Sequence, residues 1–266
     1  MKSVCVIGLG EVGTPVLQDL VTSASLAKLD FDIYGMDVDQ KKIWKLREQG
    51  FNVGTEYLDC DVQIICVYTM DQVLNVLRQI PQHPNTLISV ESTIDPRRIG
   101  ELHAKVDSAK LVLFPHRYNP NDLQHRVFNL DRVMGARSDI GWEMAIDFYS
   151  NFMDTDLIHR VDFEIAGLAK VAENAYRFIE IAMSEYLHLL CDDASVDYGK
   201  LRAAMNTKWN IDVKETRDGI GGHCLPKDMD IFRHFMKSDP LRGNILNLLF
   251  WKDTDYKRKY GNHRRP

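Results

Sequence analysis

Apolar and polar positions alternate with two periods along the first 160 residues. Short β-rich apolar runs fall at Ser3–Ile7, Phe31–Met36, Val62–Val67, Leu87–Glu91, Leu111–Phe114, Arg132–Met134 and Leu157–His159. Between several of them apolar side chains return at helical spacing, as in Val12, Val16, Leu17, Leu20 and Val21. A second helix fits Gln40–Gln49. A third opens on Asp71 as N-cap and runs to Ile80, and a fourth starts on Asp95 with Pro96 at its first position. Strands alternating with helices predict an α/β, doubly wound parallel sheet over 1–160.

The pattern changes after about Val161. From Phe163 to Cys191 there is no proline, and apolar residues recur at 165, 168, 169, 172, 175, 176, 179, 182, 183, 186, 187 and 190. That stripe predicts one long central helix, about 40 Å at 1.5 Å per residue. Shorter helices are predicted at Ser195–Asn206 and Asp228–Met236, so residues 161–250 form an all-helical domain. The last fifteen residues, 251–266 with their neighbour, hold six Lys/Arg among 252–266 against two Asp and are expected to be a basic, flexible tail.

Composition narrows the class. The chain has 266 residues, 45% of them apolar, and a formal net charge of −5, which carries no general nucleic-acid footprint. No uncharged apolar run approaches bilayer length, so no membrane partner is expected. Five scattered cysteines suit a reducing compartment, and a cytoplasmic location is the expectation.

Gly8-Leu9-Gly10-Glu11-Val12-Gly13 reads G-x-G-x-x-G directly after a strand and at the opening of a helix. The first glycine allows the turn, the second lets backbone approach a pyrophosphate, and the third lets helix and strand pack closely. Asp37, at the end of the second strand run, can accept from both ribose hydroxyls and would repel a 2′-phosphate. This Rossmann-like pattern favours NAD over NADP.

Lys170 and Asn174 share one helical face, nearly opposite a stripe through Ala172, Tyr176, Ile179 and Met183. The stripe is read as core or subunit interface, and the Lys–Asn face as either solvated surface or a polar site. Gly219-Ile220-Gly221-Gly222-His223-Cys224-Leu225-Pro226-Lys227-Asp228 is the most unusual segment. Its glycines permit close approach by a ligand, and its cysteine is expected in a loop just before a helix, a setting that favours a reactive thiolate. A buried structural cysteine with Asp228 as N-cap is the alternative. One His–Cys pair has no second pair at ligand spacing, so no metal is expected.

Together the glycine loop, Asp37 with Lys42, Glu91-Ser92-Thr93, the segment Ala169-Lys170-Val171-Ala172-Glu173-Asn174-Ala175-Tyr176-Arg177, and Gly221–Asp228 resemble the UDP-glucose/GDP-mannose dehydrogenase family. The resemblance implies an NAD-dependent oxidation of a nucleotide-sugar C6 alcohol to a carboxylate, consuming two NAD. Cys224 would carry a thiohemiacetal and then a thioester. Lys170 and Asn174 would stabilise oxyanions, and Asp228 would join the proton transfers. Gly8, Gly10, Glu11, Val12, Gly13, Asp37, Lys42, Thr69, Thr93 and Lys227 would hold the cofactor. In the family the long helix forms the core of a dimer, so a homodimer is expected.

Two departures qualify that picture. The family has a glutamate after a proline on the strand facing the site, where this chain has His116 in Phe114-Pro115-His116. A histidine can serve as a base for thioester cleavage or can be a loop residue without a chemical role. The family also carries a further C-terminal α/β domain for the nucleotide, which residues 237–266 are too few to build. A two-electron hydroxy-acid or alcohol dehydrogenase, and a non-catalytic NAD-binding dimer module, therefore stay open beside the four-electron reading.

Overall fold

The computed structural model describes residues 2–81, 83–122, 124–235 and 240–261. The elements, in order, are β1 (Lys2–Ile7), α1 (Gly13–Leu26), β2 (Phe31–Met36), α2 (Gln40–Glu48), β3 (Val53–Gly54), β4 (Val62–Ile65), α3 (Met70–Gln79), β5 (Leu87–Val90), α4 (Gly100–His103), β6 (Leu111–Leu113), β7 (Arg132–Ala136), α5 (Asp139–Tyr149) and β8 (Ile158–Val161). Four helices follow: α6 (Phe163–Asp193), α7 (Tyr198–Met205), α8 (Cys224–Phe235) and α9 (Pro240–Tyr260). The chain divides into a unit over 1–170 and a unit over 171–266, so the division falls ten residues beyond the predicted one, inside α6.

The first unit is an eight-stranded sheet in the order β3-β2-β1-β4-β5-β6-β7-β8. Alternate residues of β1 feed its two faces. Val4 and Val6 join Leu17, Leu20, Ile64 and Phe148 on one face, whereas Cys5 and Ile7 join Ile65, Val73, Leu77 and Val90 on the other. Strands β1 and β4 are parallel neighbours (Val4 opposite Val62), and the strand order turns there, the point at which such sheets bind ligands. All pairs are parallel except β6 with β7, where Val112 faces Ala136. Among the described residues no helix lies between β6 and β7, the crossover that a parallel return requires.

Local signals explain the remaining differences. Thr69, not Asp71, caps α3: its hydroxyl accepts from Gln72 N while the Gln72 side chain accepts from Thr69 N at 3.0 Å. Asp95 accepts from Arg97 N as predicted, but it caps one 3₁₀ turn before the four-residue α4. Helix α8 begins at Cys224 rather than at Asp228, because Pro226 is tolerated in a first turn. The predicted end of that helix, Met236, lies outside the described residues.

In the second unit Ala175, Phe178 and Ala182 of α6 pack with Ile220, Met229 and Leu246, and Phe250 stacks on Phe178. Residues 251–260 are thus not a tail, although 262–266 lie outside the described residues. They continue α9, with Asp253 and Tyr256 buried, because the charges are spaced to pair: Lys257 with Asp253 and Lys259 with Asp192, both at 2.7 Å. Among the described residues no helix is long and apolar enough to cross a membrane.

Glu185 of α6 is fully buried beside Asp253. Burial, and then the Asp253 charge, push its carboxyl up to about 8, with Lys257 opposing. Between its ordinary value of 4.5 and about 8, the folded chain holds a proton that the unfolded chain releases. Stability therefore falls as pH rises through that window. Glu185→Gln is expected to remove that part of the slope, measured as denaturant midpoints near pH 5 and near pH 8.

Candidate active site

The glycine loop joins β1 to α1 at the turning point of the sheet. Gly8 has φ +90°, and a Cβ there would lie 2.7 Å from the Cys66 carbonyl oxygen. A Cβ on Gly13 would lie 1.9 Å from the Gly8 carbonyl oxygen, so the close contact of strand and helix requires glycine. Gly10 differs: a Cβ there would meet no atom within 4 Å, which leaves its backbone open to a ligand. Helix α1 starts without a side-chain cap and without an acid in its first turn. An open backbone beside an uncapped helix start fits a pyrophosphate. Gly10→Ala is therefore expected to leave the unfolding midpoint unchanged while weakening NAD binding at least tenfold by calorimetry. Gly13→Ala, in contrast, is expected to cost about 2–3 kcal/mol of stability.

Asp37 closes this loop from β2. Its Oδ2 accepts from Leu9 N at 2.8 Å and its Oδ1 from Asp39 N at 2.9 Å, with Lys42 Nζ 3.3 Å from Oδ2. Asp37 is buried, and with Oδ2 taken by Leu9 N and Lys42 Nζ its Oδ1 keeps a lone pair for a ribose hydroxyl. Glu11 is exposed and Val12 half-buried at the start of α1. Thr69 and Thr93 stand after the carboxyl ends of β4 and β5. Between those ends the Ser92 hydroxyl accepts from Val67 N and donates to the Ile65 carbonyl, at 2.9 and 3.1 Å.

His116 follows β6 and is buried in a polar cluster that the sequence did not reveal. Its Nε2 pairs with Glu91, whose Oε2 also lies 3.2 Å from Arg132 Nη2. The Tyr149 hydroxyl donates to Glu91 Oε1 at 2.6 Å and lies 2.7 Å from Ser89 Oγ. The Arg132 guanidinium sits 3.5 Å over the Phe114 ring. Burial and then the Arg132 charge bring His116 down to about 4, with Glu91 opposing. Burial alone would raise Glu91, but Arg132, His116 and the Tyr149 hydroxyl outweigh it and hold it at about 2. Charged residues at the ends of buried strand runs, Glu91 after β5 and Arg132 opening β7, need partners, but the sequence does not say which.

In the second unit Cys224 is the first residue of α8. It is the exposed cysteine, whereas Cys5, Cys60, Cys66 and Cys191 are buried. One turn on, Asp228 is only 1% exposed. Its Oδ2 accepts from Asn174 Nδ2 at 2.5 Å, and Lys227 Nζ lies 3.4 Å from its Oδ1. Asn174 is thus turned toward the core and not toward solvent. The core line of α6 is Val171, Ala175, Phe178 and Ala182; of the stripe, Ile179 packs against that core while Tyr176 and Met183 are 66% and 46% exposed, so those two are not core of this unit. Lys170, half-buried, lies one turn before Asn174 on α6 and closes the first unit. Among the described residues no group of His, Cys, Asp and Glu could hold a metal ion.

The first unit is thus a doubly wound sheet with an open glycine loop of the kind that suits a dinucleotide, and the second is a helical unit that presents a cysteine. More narrowly, residues 164–249 match the central domain of the UDP-glucose/GDP-mannose dehydrogenase family. The chain is 27% identical to the UDP-N-acetyl-D-mannosamine dehydrogenase of Methanococcus vannielii, over 86% of this chain and 60% of that protein. The corresponding enzyme of Methanocaldococcus jannaschii is 26% identical over 85% and 60%. The chain thus spans about three fifths of the length of these curated relatives. The structure of the UDP-D-ManNAc dehydrogenase from Pyrococcus horikoshii matches with a TM-score of 0.83 at 21% identity, covering 96% of this chain and 68% of that one. The 3-hydroxyisobutyrate dehydrogenase of Mycobacterium tuberculosis shares the fold too, with a TM-score of 0.70 at 16% identity over 97% and 95%.

Proposed function

We propose that this chain carries an NAD-dependent oxidation of a nucleotide-sugar primary alcohol to a carboxylate through a covalent bond to Cys224. The observation that carries the reading is the pairing, in one unit, of an exposed cysteine at the start of α8 with the buried Asn174–Asp228 bond one turn below it. A plain alcohol oxidation needs no thiol, whereas an acid product needs an acyl carrier.

NAD, when bound, supplies the acceptor for both hydrides. Gly10 and the start of α1 would receive its pyrophosphate, and Asp37 with Lys42 its adenosine ribose. Thr69 and Thr93 would line the loops at the strand ends. The Cys224 thiolate would add to the C6 aldehyde to give a thiohemiacetal, and the second oxidation would leave a thioester. Lys170 and the Asn174 amide would stabilise the oxyanions of these steps. Asp228, held by Asn174 and Lys227, would accept the alcohol proton through water. Water would then cleave the thioester and return the thiol. His116 is the residue that the resemblance offers as the base for that water. Rapid quenching of a reaction with NAD and UDP- or GDP-sugars, followed by peptide mass spectrometry, tests the scheme. A uronyl adduct on the Cys224 peptide supports it, and acid production without any adduct in Cys224-alkylated protein counts against it.

A second reading is a two-electron hydroxy-acid dehydrogenase. It is favoured by the fold shared with the 3-hydroxyisobutyrate dehydrogenase over 95% of that chain. Turnover that survives thiol alkylation would select it. The substrate and its nucleotide are carried here by resemblance to the relatives.

A homodimer belongs to the same proposal. Tyr176, Met183 and Leu190 recur at seven-residue intervals along one exposed line of α6. An apolar line of that kind is a helix-pairing seam. Sedimentation at micromolar concentration is expected to give a dimer, and Tyr176→Glu with Met183→Glu a monomer.

A further inference from the structure

The segment that read as a tail ends up holding the cysteine loop. Asp253 of α9 is buried, and its Oδ1 accepts from Ile220 N at 2.9 Å. Its other oxygen takes Lys257 Nζ at 2.7 Å, and the Glu185 carboxyl of α6 lies beside it. Ile220 is itself buried against Phe178, Met229 and Leu246. One residue earlier, Gly219 has φ +100°, and a Cβ there would lie 2.3 Å from Lys257 Cγ, so the loop rests directly on the Lys257 stem. A second tie lies upstream, where His188 Nδ1 is 2.9 Å from both Thr216 Oγ1 and the buried Tyr256 hydroxyl.

Between Ile220 and the start of α8 the packing opens at two glycines. Gly221 and Gly222 are exposed, a Cβ on either would meet nothing within 4 Å, and Gly222 has φ +74°. Cys224 follows two residues later. The order is an anchored amide, a two-glycine hinge and a thiol. The loop is held by α9 at Ile220 and by α8 from Cys224 on, so the anchor at Ile220 sets the path by which the chain enters the turn that carries the thiol.

We infer that Asp253 is a positioning residue for Cys224: α9 holds the origin of the Gly221–Gly222 hinge through the Asp253–Ile220 bond. The inference rests on the reading of Cys224 as the reactive thiol. Lys257 pairs with the other oxygen of Asp253, and its stem forms the floor under Gly219. Glu185 is the remaining titratable group in contact, and in its protonated form it leaves Asp253 as the acceptor for Ile220.

The experiment uses the full chain and three readouts: iodoacetamide labelling of Cys224 by peptide mass spectrometry, NAD Kd, and turnover of a UDP-sugar panel. Asp253→Ala is expected to raise the labelling rate roughly fivefold and to lower kcat at least tenfold, with NAD Kd unchanged. Asp253→Asn, whose side-chain oxygen can still accept from Ile220 N, is expected to restore both toward wild type. A folded Asp253→Ala protein with wild-type labelling and wild-type kcat would overturn the inference. Labelling that rises as expected, in a chain whose turnover does not need Cys224, would keep the anchor and remove the thiol mechanism. Should Asp253→Ala fail to fold, hydrogen exchange on the wild-type protein decides. The Ile220 amide is expected to be protected while Gly221 and Gly222 exchange freely, and equal exchange at all three would refute the anchor.

Discussion

Cys224→Ser is expected to lower acid formation on the order of 10³-fold or more, the scale of losing a covalent nucleophile, while NAD binds as in the wild type. The substitution is nearly isosteric and sits at an exposed helix start, so it removes chemistry without touching the core. A serine hydroxyl near neutral pH neither adds readily to an aldehyde nor leaves readily from an ester. The first oxidation does not need the thiol, so aldehyde release with one NADH is the expected residue of activity. The measurement is product analysis by mass spectrometry together with NAD titration. Unchanged carboxylate production by the serine variant would exclude Cys224 from the mechanism.

Arg132→Met is expected to cost about 3–5 kcal/mol, the usual penalty for stranding one member of a buried ion pair. Both side chains of the Arg132–Glu91 pair are fully buried, and the Glu91 carboxylate would remain with only His116 and Tyr149 to compensate it. Removing both charges, as Arg132→Met with Glu91→Gln, is expected to cost less than the single arginine change. Acid adds a second check. Glu91 is held at about 2 against an ordinary 4.5, so its contribution is complete above 4.5 and is lost as pH falls toward 2. Urea unfolding across that range is expected to be steeper in pH for the wild type than for the double variant. Equal stability of the wild type and Arg132→Met would mean that the cluster does not hold the end of β6 in place.

How far each feature could be read depended on the range of the interaction behind it. Gly8, Gly10, Gly13 and Asp37 obey rules that act within a few residues of a strand end, and their place between β1 and α1 and after β2 is legible in the sequence. The partners of Asp37 are not, because Leu9 N reaches it only once β1 and β2 lie side by side. The stripe on α6 leaves core and subunit interface undivided because apolar residues occur all round that helix. Which line is covered depends on α8 and α9, far away in sequence. Helix α9 was hidden by its own charges, which suggest solvent until Asp253, Asp255 and Asp192 are seen to pair with them. His116 was found as a departure from a family pattern. Its confinement by Glu91 and Arg132 is a meeting of β5, β6 and β7 that no local spacing encodes.

The thiol mechanism is tested most directly by the NADH formed per sugar consumed, over a panel of UDP- and GDP-sugars with excess NAD. It predicts two NADH and one carboxylate for each molecule of the true substrate. One NADH with a released aldehyde or ketone would contradict it.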